Sequence, residues 1–308
     1  VALGMFDGMH RGHLKVVEEV KKEGDSRRTV TGILTFWPHP SRVLQEGTAP
    51  PVLMAKNQKI EFLAEVGIDF AVVLAFTKEF ARTDPETFFE KTLVEGLGVQ
   101  CVVVGEDYVF GRKARGDVNL LRSLGQKRGV DILSVPPVLD GGERISSSRI
   151  RTLIMESGMK RAEELLGRPY VVWGEVVPGK ARGARMGFPT ANVFTQQEVL
   201  PRDGVYVGET MVEDQVYLSL INLGCCPTFE DVTNRRLEVH LISLDRDLYG
   251  ERCGVRFLKR LRDEMLFKDE RELMLTMIND KKDAIGWAAQ NRRHYPLKNF
   301  FSLSLESL

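Results

Sequence analysis

The chain has 308 residues, 43% of them hydrophobic, with 43 basic and 43 acidic side chains and a formal net charge of zero. At roughly 150 residues per domain, that length suggests one large domain or two ordinary ones, with enough apolar material for real cores. The neutral balance gives no argument for a nucleic-acid partner or an anionic membrane surface, since either favours a basic excess. No apolar run approaches the roughly 20 residues that span a bilayer. No signal peptide is visible, but the chain starts at Val1 rather than Met, and "VALGMF" already reads as a strand entering a turn. The reading therefore leaves that end open. The four cysteines, Cys101, Cys225, Cys226 and Cys253, form no C-x-x-C pair. They read as free thiols in a reducing cytoplasm rather than as a zinc knuckle.

Residues 1 to about 165 alternate strand and helix. "VALGMF" is a short apolar strand. "HLKVVEEVKK" follows as an amphipathic helix, with Leu14, Val17 and Val20 on one face. "TVTGILTF" (29–36) is the next strand. "NQKIEFLAEVG" (57–67) reads as a helix ending at Gly67, and "FAVVLAF" (70–76) as a buried strand. "DPETFFEKTLVEGLG" begins with Asp84 as N-cap and Pro85 at the first helical position. "CVVVG" (101–105) is a strand, "VNLLRSLGQKRG" a helix, "VDILSV" (130–135) extended, and "SSSRIRTLIMESG" a helix started by serines. Apolar β-branched runs alternating with amphipathic helices imply a doubly wound parallel sheet, which binds ligands beyond the carboxyl ends of its strands.

After "AEELLGRPY" the grammar changes. "YVVWGEVV", "GFPTANVF", "GVYVGETMV", "QVYLSLINLG", "RRLEVHLISL" and "RCGVRFLKRL" follow one another as strands, with "VEDQ" (212–215) as a hairpin loop. Short strands without intervening helices predict an antiparallel barrel or sandwich. A helix from about Asp269 to Gln290 closes this second part. The expected division is 1–166, 167–290 and a tail over 291–308.

Two histidines, His10 and His13, stand in "GMFDGMHRGH" (4–13). A strand ends there, glycines allow a tight turn, and a helix starts near the second histidine. Exposed N–H groups and the positive helix end then meet at the site. The pattern suits phosphate better than zinc, because metal-binding helices usually space histidines four apart and need further ligands. A metal role and a structural one remain open on the residues alone. "ISSSRIR" (145–151) places hydroxyls and two arginines, Arg149 and Arg151, at a strand-to-helix transition. They suit a polyphosphate through charge-assisted bonds, or form an ordinary N-cap with solvated arginines.

H-x-G-H near the start with I-S-S-x-x-I-R at the end resembles the nucleotidylyltransferase superfamily. "GMFDGMHRGH", "TFWPHP" (35–40), "GEDYVFGRKARGD" (105–117) and "ISSSRIR" together resemble the FMN adenylyltransferase module of bacterial bifunctional FAD synthetases. Met5 departs from the pattern, where the family usually has Asn. The resemblance implies ATP + FMN → FAD + pyrophosphate. It implies that His10, His13 and Arg151 serve catalysis. Gly4, Phe6, Gly12, Ser146, Ser147 and Arg149 would form the ATP phosphate site, and Pro38, His39, Asp107, Phe110 and Arg112 the flavin side. A structural turn role for His39 stays open.

"GKARGARMGFPTAN" (179–192) is rich in glycine and arginine but is no G-x-x-x-x-G-K-[ST] loop. Thr190 and Asn192 point to one side of a strand and offer uncharged oxygens, which suit a magnesium ion shared with phosphates. In "LEVHLISLDRDLYG", Glu238 and His240 share a strand face. On pattern alone Glu238 reads as a solvated carboxylate. "GFPTAN", "DGVY", "NLGCCPTF", "LEVHL" and "DLYG" look like the riboflavin kinase module of the same family, a small β-barrel with a carboxy-terminal helix. The resemblance implies transfer of the ATP γ-phosphate to riboflavin. It implies Glu238 as general base, Thr190 and Asn192 as ligands of Mg2+ and phosphate, Gly179 to Gly187 as the nucleotide cover, and Arg262 as a flavin contact. Pro178 and Ser243 depart from the pattern, where histidine and an acid are common. The expected partners are ATP, riboflavin, FMN and FAD, with no nucleic acid and no membrane. The sequence does not reveal the oligomeric state. Only one active module, a flavin- or nucleotide-binding sensor with idle sites, and another H-x-G-H enzyme such as a class I aminoacyl-tRNA synthetase are the competing readings.

Overall fold

A computed structural model describes residues 1–45, 47–179, 183, 187–225, 235–244 and 246–291. The chain divides into two compact units, Val1–Ser147 and Ser148–Leu308.

The first unit is a five-stranded parallel sheet in the order β3-β2-β1-β4-β5. Its strands are β1 (Ala2–Leu3), β2 (Gly32–Trp37), β3 (Phe70–Ala75), β4 (Cys101–Gly105) and β5 (Asp131–Val135). The order reverses at β1, which pairs with β2 on one side and β4 on the other. That makes the carboxyl end of β1 the switch point where a ligand crevice opens. Helix α1 (Arg11–Arg27) follows β1 and buries Leu14, Val17 and Val20, as the periodicity predicts. Helix α2 (Pro40–Leu44) and helix α3 (Lys56–Glu65) lie between β2 and β3. Asp84 and Pro85 do open a helix, α4 (Pro85–Thr87), but it continues as wider π-type turns over Phe88–Gly96. Helix α5 (Val118–Arg128) is capped by the Asp117 carboxylate at Leu120 N and stops at left-handed Gly129. The strand expected over 29–36 starts only at Gly32, since Thr29 and Val30 lie outside the sheet. Leu3, Leu34, Val102 and Val104 of the sheet pack with Phe88, Phe89 and Leu93.

Helices α6 (Ser147–Met155) and α7 (Met159–Leu166) lead to the second unit's barrel. This is closed, in the order β10-β11-β12-β9-β8-β13, which removes sheet edges that a sandwich would leave. The strands are β8 (Val171–Val177), β9 (Ala191–Phe194), β10 (Gly204–Val212), β11 (Gln215–Cys225), β12 (Arg235–Leu241) and β13 (Arg252–Arg262). The hairpin read from "VEDQ" pairs Val212 with Gln215, and Glu213 takes a left-handed φ of 53° in its two-residue turn. Helix α8 (Glu270–Asn291) packs Ala284 against Val205, Val207 and Leu220. A two-stranded ribbon, β6 (Leu139–Asp140) with β7 (Glu143–Arg144), belongs to the first unit. Cys101 and Cys253 are buried free thiols. Cys226 and the expected tail beyond Asn291 lie outside the described residues.

Candidate active sites

In the first unit the chain leaves β1 and turns tightly. Phe6, Gly8 and Met9 take left-handed φ values of 51°, 81° and 43°. A Cβ on Gly8 would lie 2.6 Å from the Leu53 side chain, so only glycine fits that turn. Side-chain contacts hold the loop. Lys59 Nζ and Thr35 Oγ1 donate to the Met5 carbonyl at 2.6 and 3.1 Å. The buried Asp7 carboxylate accepts from Leu53 N at 2.9 Å, and Ser147 Oγ donates to the Asp7 carbonyl at 2.8 Å. The Met5 position is therefore fixed through its main chain.

His10 is the N-cap of α1, its Nδ1 accepting from His13 N at 3.3 Å. An accepting Nδ1 carries no proton, so the neutral ring's donor is Nε2–H. The His10 and His13 rings stack with centroids 3.7 Å apart, and Phe6 meets His13 edge-on at 5.4 Å. Gly12 sits against the His10 ring, 3.1 Å from where its Cβ would be. Gly4, Phe6, His10, Gly12 and His13 line one wall of a cavity of about 720 Å³. Phe36, Phe76, Phe80, Phe88 and Phe110 also line it and make part of its lining aromatic.

Of the expected flavin-side residues, His39, Asp107 and Phe110 line this cavity, while Pro38 and Arg112 do not. His39 also caps α2, its Nδ1 accepting from Ser41 N at 3.2 Å. Asp107 forms an ion pair with Arg144, another lining residue, across from β4. The sequence reading missed Arg144, since an arginine in an exposed ribbon carries no pattern. Lys59 was missed for the same reason: one lysine in a helix reads as a solvated charge. It is instead 4% exposed, and burial pulls its ammonium down to about 8 against the raising field of Asp7. From "ISSSRIR" the cavity takes Ile145, but not Ser146 or Ser147. Arg149 and Arg151 fall on α6 in the second unit, where Arg151 is buried and donates to Ser148 Oγ at 3.2 Å. Among the described residues, no group of three or more His, Cys, Asp or Glu stands ready to hold a metal.

The second unit holds a cavity of about 290 Å³ lined by Gly183, Thr190, Asn192, Glu238, His240 and Arg262, among others. Pairing in the barrel sets Asn222 opposite Glu238, and Glu238 opposite Asn192. Four expected residues thus meet here, while Gly179 and Gly187 stay outside the lining. Gly179 nevertheless serves it: a Cβ there would lie 1.9 Å from Asn192 Nδ2. A Cβ on Gly183 would lie 3.3 Å from Thr190 Oγ1. The two glycines leave room around a hydroxyl and an amide, whose hard oxygens suit magnesium shared with phosphates. Most of the expected cover between Gly179 and Gly187, and the "CPTF" part of "NLGCCPTF", lie outside the described residues.

His240 is buried, and its ring meets Pro189 O at 2.8 Å through Nδ1. A carbonyl only accepts, so Nδ1 holds the proton. Burial lowers the imidazole's pKa and favours that neutral form. Arg262 is fixed by Asp280 of α8, which takes its Nη2 at 2.7 Å and its Nε at 3.0 Å. Asp280, Phe267 and Met277 complete the side of the cavity near Arg262. The sequence reading missed Asp280, which lies in a run of charges on a helix.

Comparison with known proteins shows the family of each unit. Residues 1–149 match the FAD synthetase family and residues 166–288 the riboflavin kinase family. The bifunctional riboflavin kinase/FMN adenylyltransferase of Escherichia coli strain K12 is 34% identical over 92% of this chain and 91% of its own. That of Bacillus subtilis is 33% identical over 95% and 93%. A crystal structure described as a macrolide-efflux protein from Streptococcus pneumoniae superposes with a TM-score of 0.82 at 30% identity, covering 93% of both chains. Among the described residues no helix is long and apolar enough to cross a membrane. A parallel-sheet unit with a histidine-lined crevice, joined to a closed barrel with a carboxylate in its cavity, defines a two-module transferase of phosphoryl and nucleotidyl groups. The chain belongs to the bifunctional riboflavin kinase/FMN adenylyltransferase family.

Proposed function

We propose that the chain converts riboflavin to FMN in the barrel and FMN to FAD in the parallel-sheet unit, with the modules divided as 1–166 and 167–290 and residues 291–308 as a tail. The observation that carries this is a chemical division of labour. The first cavity carries His10 stacked on His13 at the start of α1, and the second carries Glu238 on a strand in register with Asn192. The two reactions need that difference.

In the kinase step the terminal ribityl hydroxyl oxygen of riboflavin attacks the γ-phosphorus of ATP. The bond to ADP breaks, and the hydroxyl proton passes to Glu238. An alcohol needs such a base. Thr190 and Asn192 would hold Mg2+, which when bound neutralises phosphate charge. Gly179 and Gly187 flank the segment assigned to the nucleotide. Arg262, braced by Asp280, addresses the flavin.

In the adenylyl step an FMN phosphate oxygen attacks the α-phosphorus of ATP, and the bond to pyrophosphate breaks. That nucleophile is already ionised, so positioning and charge stabilisation carry the rate. His10 and His13 donate to ATP phosphates, with Gly4, Phe6 and Gly12 shaping the approach. The resemblance gives the departing pyrophosphate to the Ser146 and Ser147 hydroxyls, and Arg149 and Arg151 of α6 carry charge suited to phosphate. His39, Asp107 and Phe110, which line the cavity, form the flavin and nucleotide side, with Pro38 and Arg112 next to them along the chain. A cytoplasmic location fits the two buried free thiols.

The test is Glu238→Gln, assayed with ATP, magnesium and either riboflavin or FMN. FMN formation should fall by at least about a hundredfold, in the range of general-base contributions. FAD formation from supplied FMN should be unchanged. Loss of both activities would refute the two-site reading.

A further inference from the structure

Asn222, Glu238 and Asn192 occupy one register row across three neighbouring strands, β11, β12 and β9. Directly paired residues send their side chains to the same face, about 4.5–5.5 Å apart at Cβ. All three line the same cavity. Glu238 thus stands between two carboxamides. Asn192 lies on the side of Thr190 and Gly183, which the reading above gives to phosphate. Asn222 lies on the other side of the base. Nothing has yet been assigned to it.

We propose that Asn222 binds the ribityl chain of the acceptor flavin and holds its terminal hydroxyl beside Glu238. This rests on the reading of Glu238 as the kinase base. The row supplies the order the reaction needs: phosphate ligand, base, acceptor ligand. A carboxamide both donates and accepts, which matches a sugar-alcohol hydroxyl that does the same. Being uncharged, it can sit one strand from the base without altering its charge.

Two variants test this on the full chain, with FAD formation from FMN as the check that the protein is folded. Asn222→Ala should raise KM for riboflavin and lower kcat for FMN formation, together by roughly tenfold or more, while KM for ATP stays within about twofold. Asn222→Asp is nearly isosteric. It keeps an acceptor for the ribityl hydroxyl and should regain part of the riboflavin affinity that Asn222→Ala loses. A raised KM for ATP in place of riboflavin would overturn the proposal. So would Asn222→Ala kinetics equal to wild type, or a riboflavin KM for Asn222→Asp no lower than that of Asn222→Ala. Glu238→Gln separates the two claims: if it keeps kinase activity, the base reading fails, while the riboflavin KM of Asn222→Ala still decides whether Asn222 binds the acceptor.

Discussion

Lys59 donates to the Met5 carbonyl at 2.6 Å from a side chain that is 4% exposed. A helix that the sequence presents as ordinary thus carries the support of the histidine loop. Thr35 shares the same acceptor and the Asp7 charge lies close enough to act on the lysine. Lys59→Met should lower FAD formation from FMN by about tenfold or more, because the loop loses its strongest donor. FMN formation in the other unit should be untouched. An FAD rate equal to wild type would show that Thr35 and Asp7 hold the loop alone.

The same burial makes a pH prediction. Lys59 falls from the ordinary 10.5 to about 8 in the folded protein. Between those values the unfolded chain holds the proton and the native chain sheds it, so unfolding free energy rises with pH across the window. The burial penalty is fully present below about pH 8 and is lost above the unfolded value. Urea unfolding at pH 7.5 and pH 10 should therefore move the wild type up relative to Lys59→Met by roughly 1–3 kcal/mol. A pH-independent difference between the two would be the contrary result.

His10 does two jobs that a single substitution can separate. It caps α1 and faces the cavity. His10→Asn keeps a favoured N-cap, so stability should stay within a few tenths of a kcal/mol, whereas His10→Ala should lose about 1 kcal/mol. Both should depress FAD formation by about a hundredfold if the imidazole donates to phosphate. Melting curves beside initial rates make the comparison. Full activity in His10→Asn would reduce His10 to a cap.

Gly179→Ala puts a methyl group 1.9 Å from the present Asn192 Nδ2. The Asn192 side chain must swing away. FMN formation should drop and demand more magnesium for half-maximal rate, while FAD formation from FMN holds. An unaltered magnesium dependence would detach Asn192 from the metal.

The elements themselves were largely written in local patterns. "CVVVG" and "GVYVGETMV" became β4 and β10 over the residues read, because their apolar runs end at turn residues. Thr190, Asn192 and Glu238 were singled out by the resemblance of their short contiguous motifs; Asn192 and Glu238 lie on the adjacent strands β9 and β12, and Thr190 just before β9. Asn222 was inside a quoted motif yet unassigned. Its place beside Glu238 depends on the β11–β12 register, across a connection that no local pattern specifies. Asp107 was expected on the flavin side, and its partner Arg144 comes from a ribbon 37 residues later.

The sequence alone determined the two grammars, the strand and helix order, the paired histidines and the placing of Glu238 on a strand. Those follow from periodicity, turn chemistry and residue type, which act over a few residues. Only the tertiary structure decided which groups face each other. It closed the barrel so that Asn192, Glu238 and Asn222 form one row, and it buried Lys59 beneath Met5. Such meetings join residues far apart in the chain. They are set by strand register and by the burial of α3 against the sheet, which only the assembled core can fix.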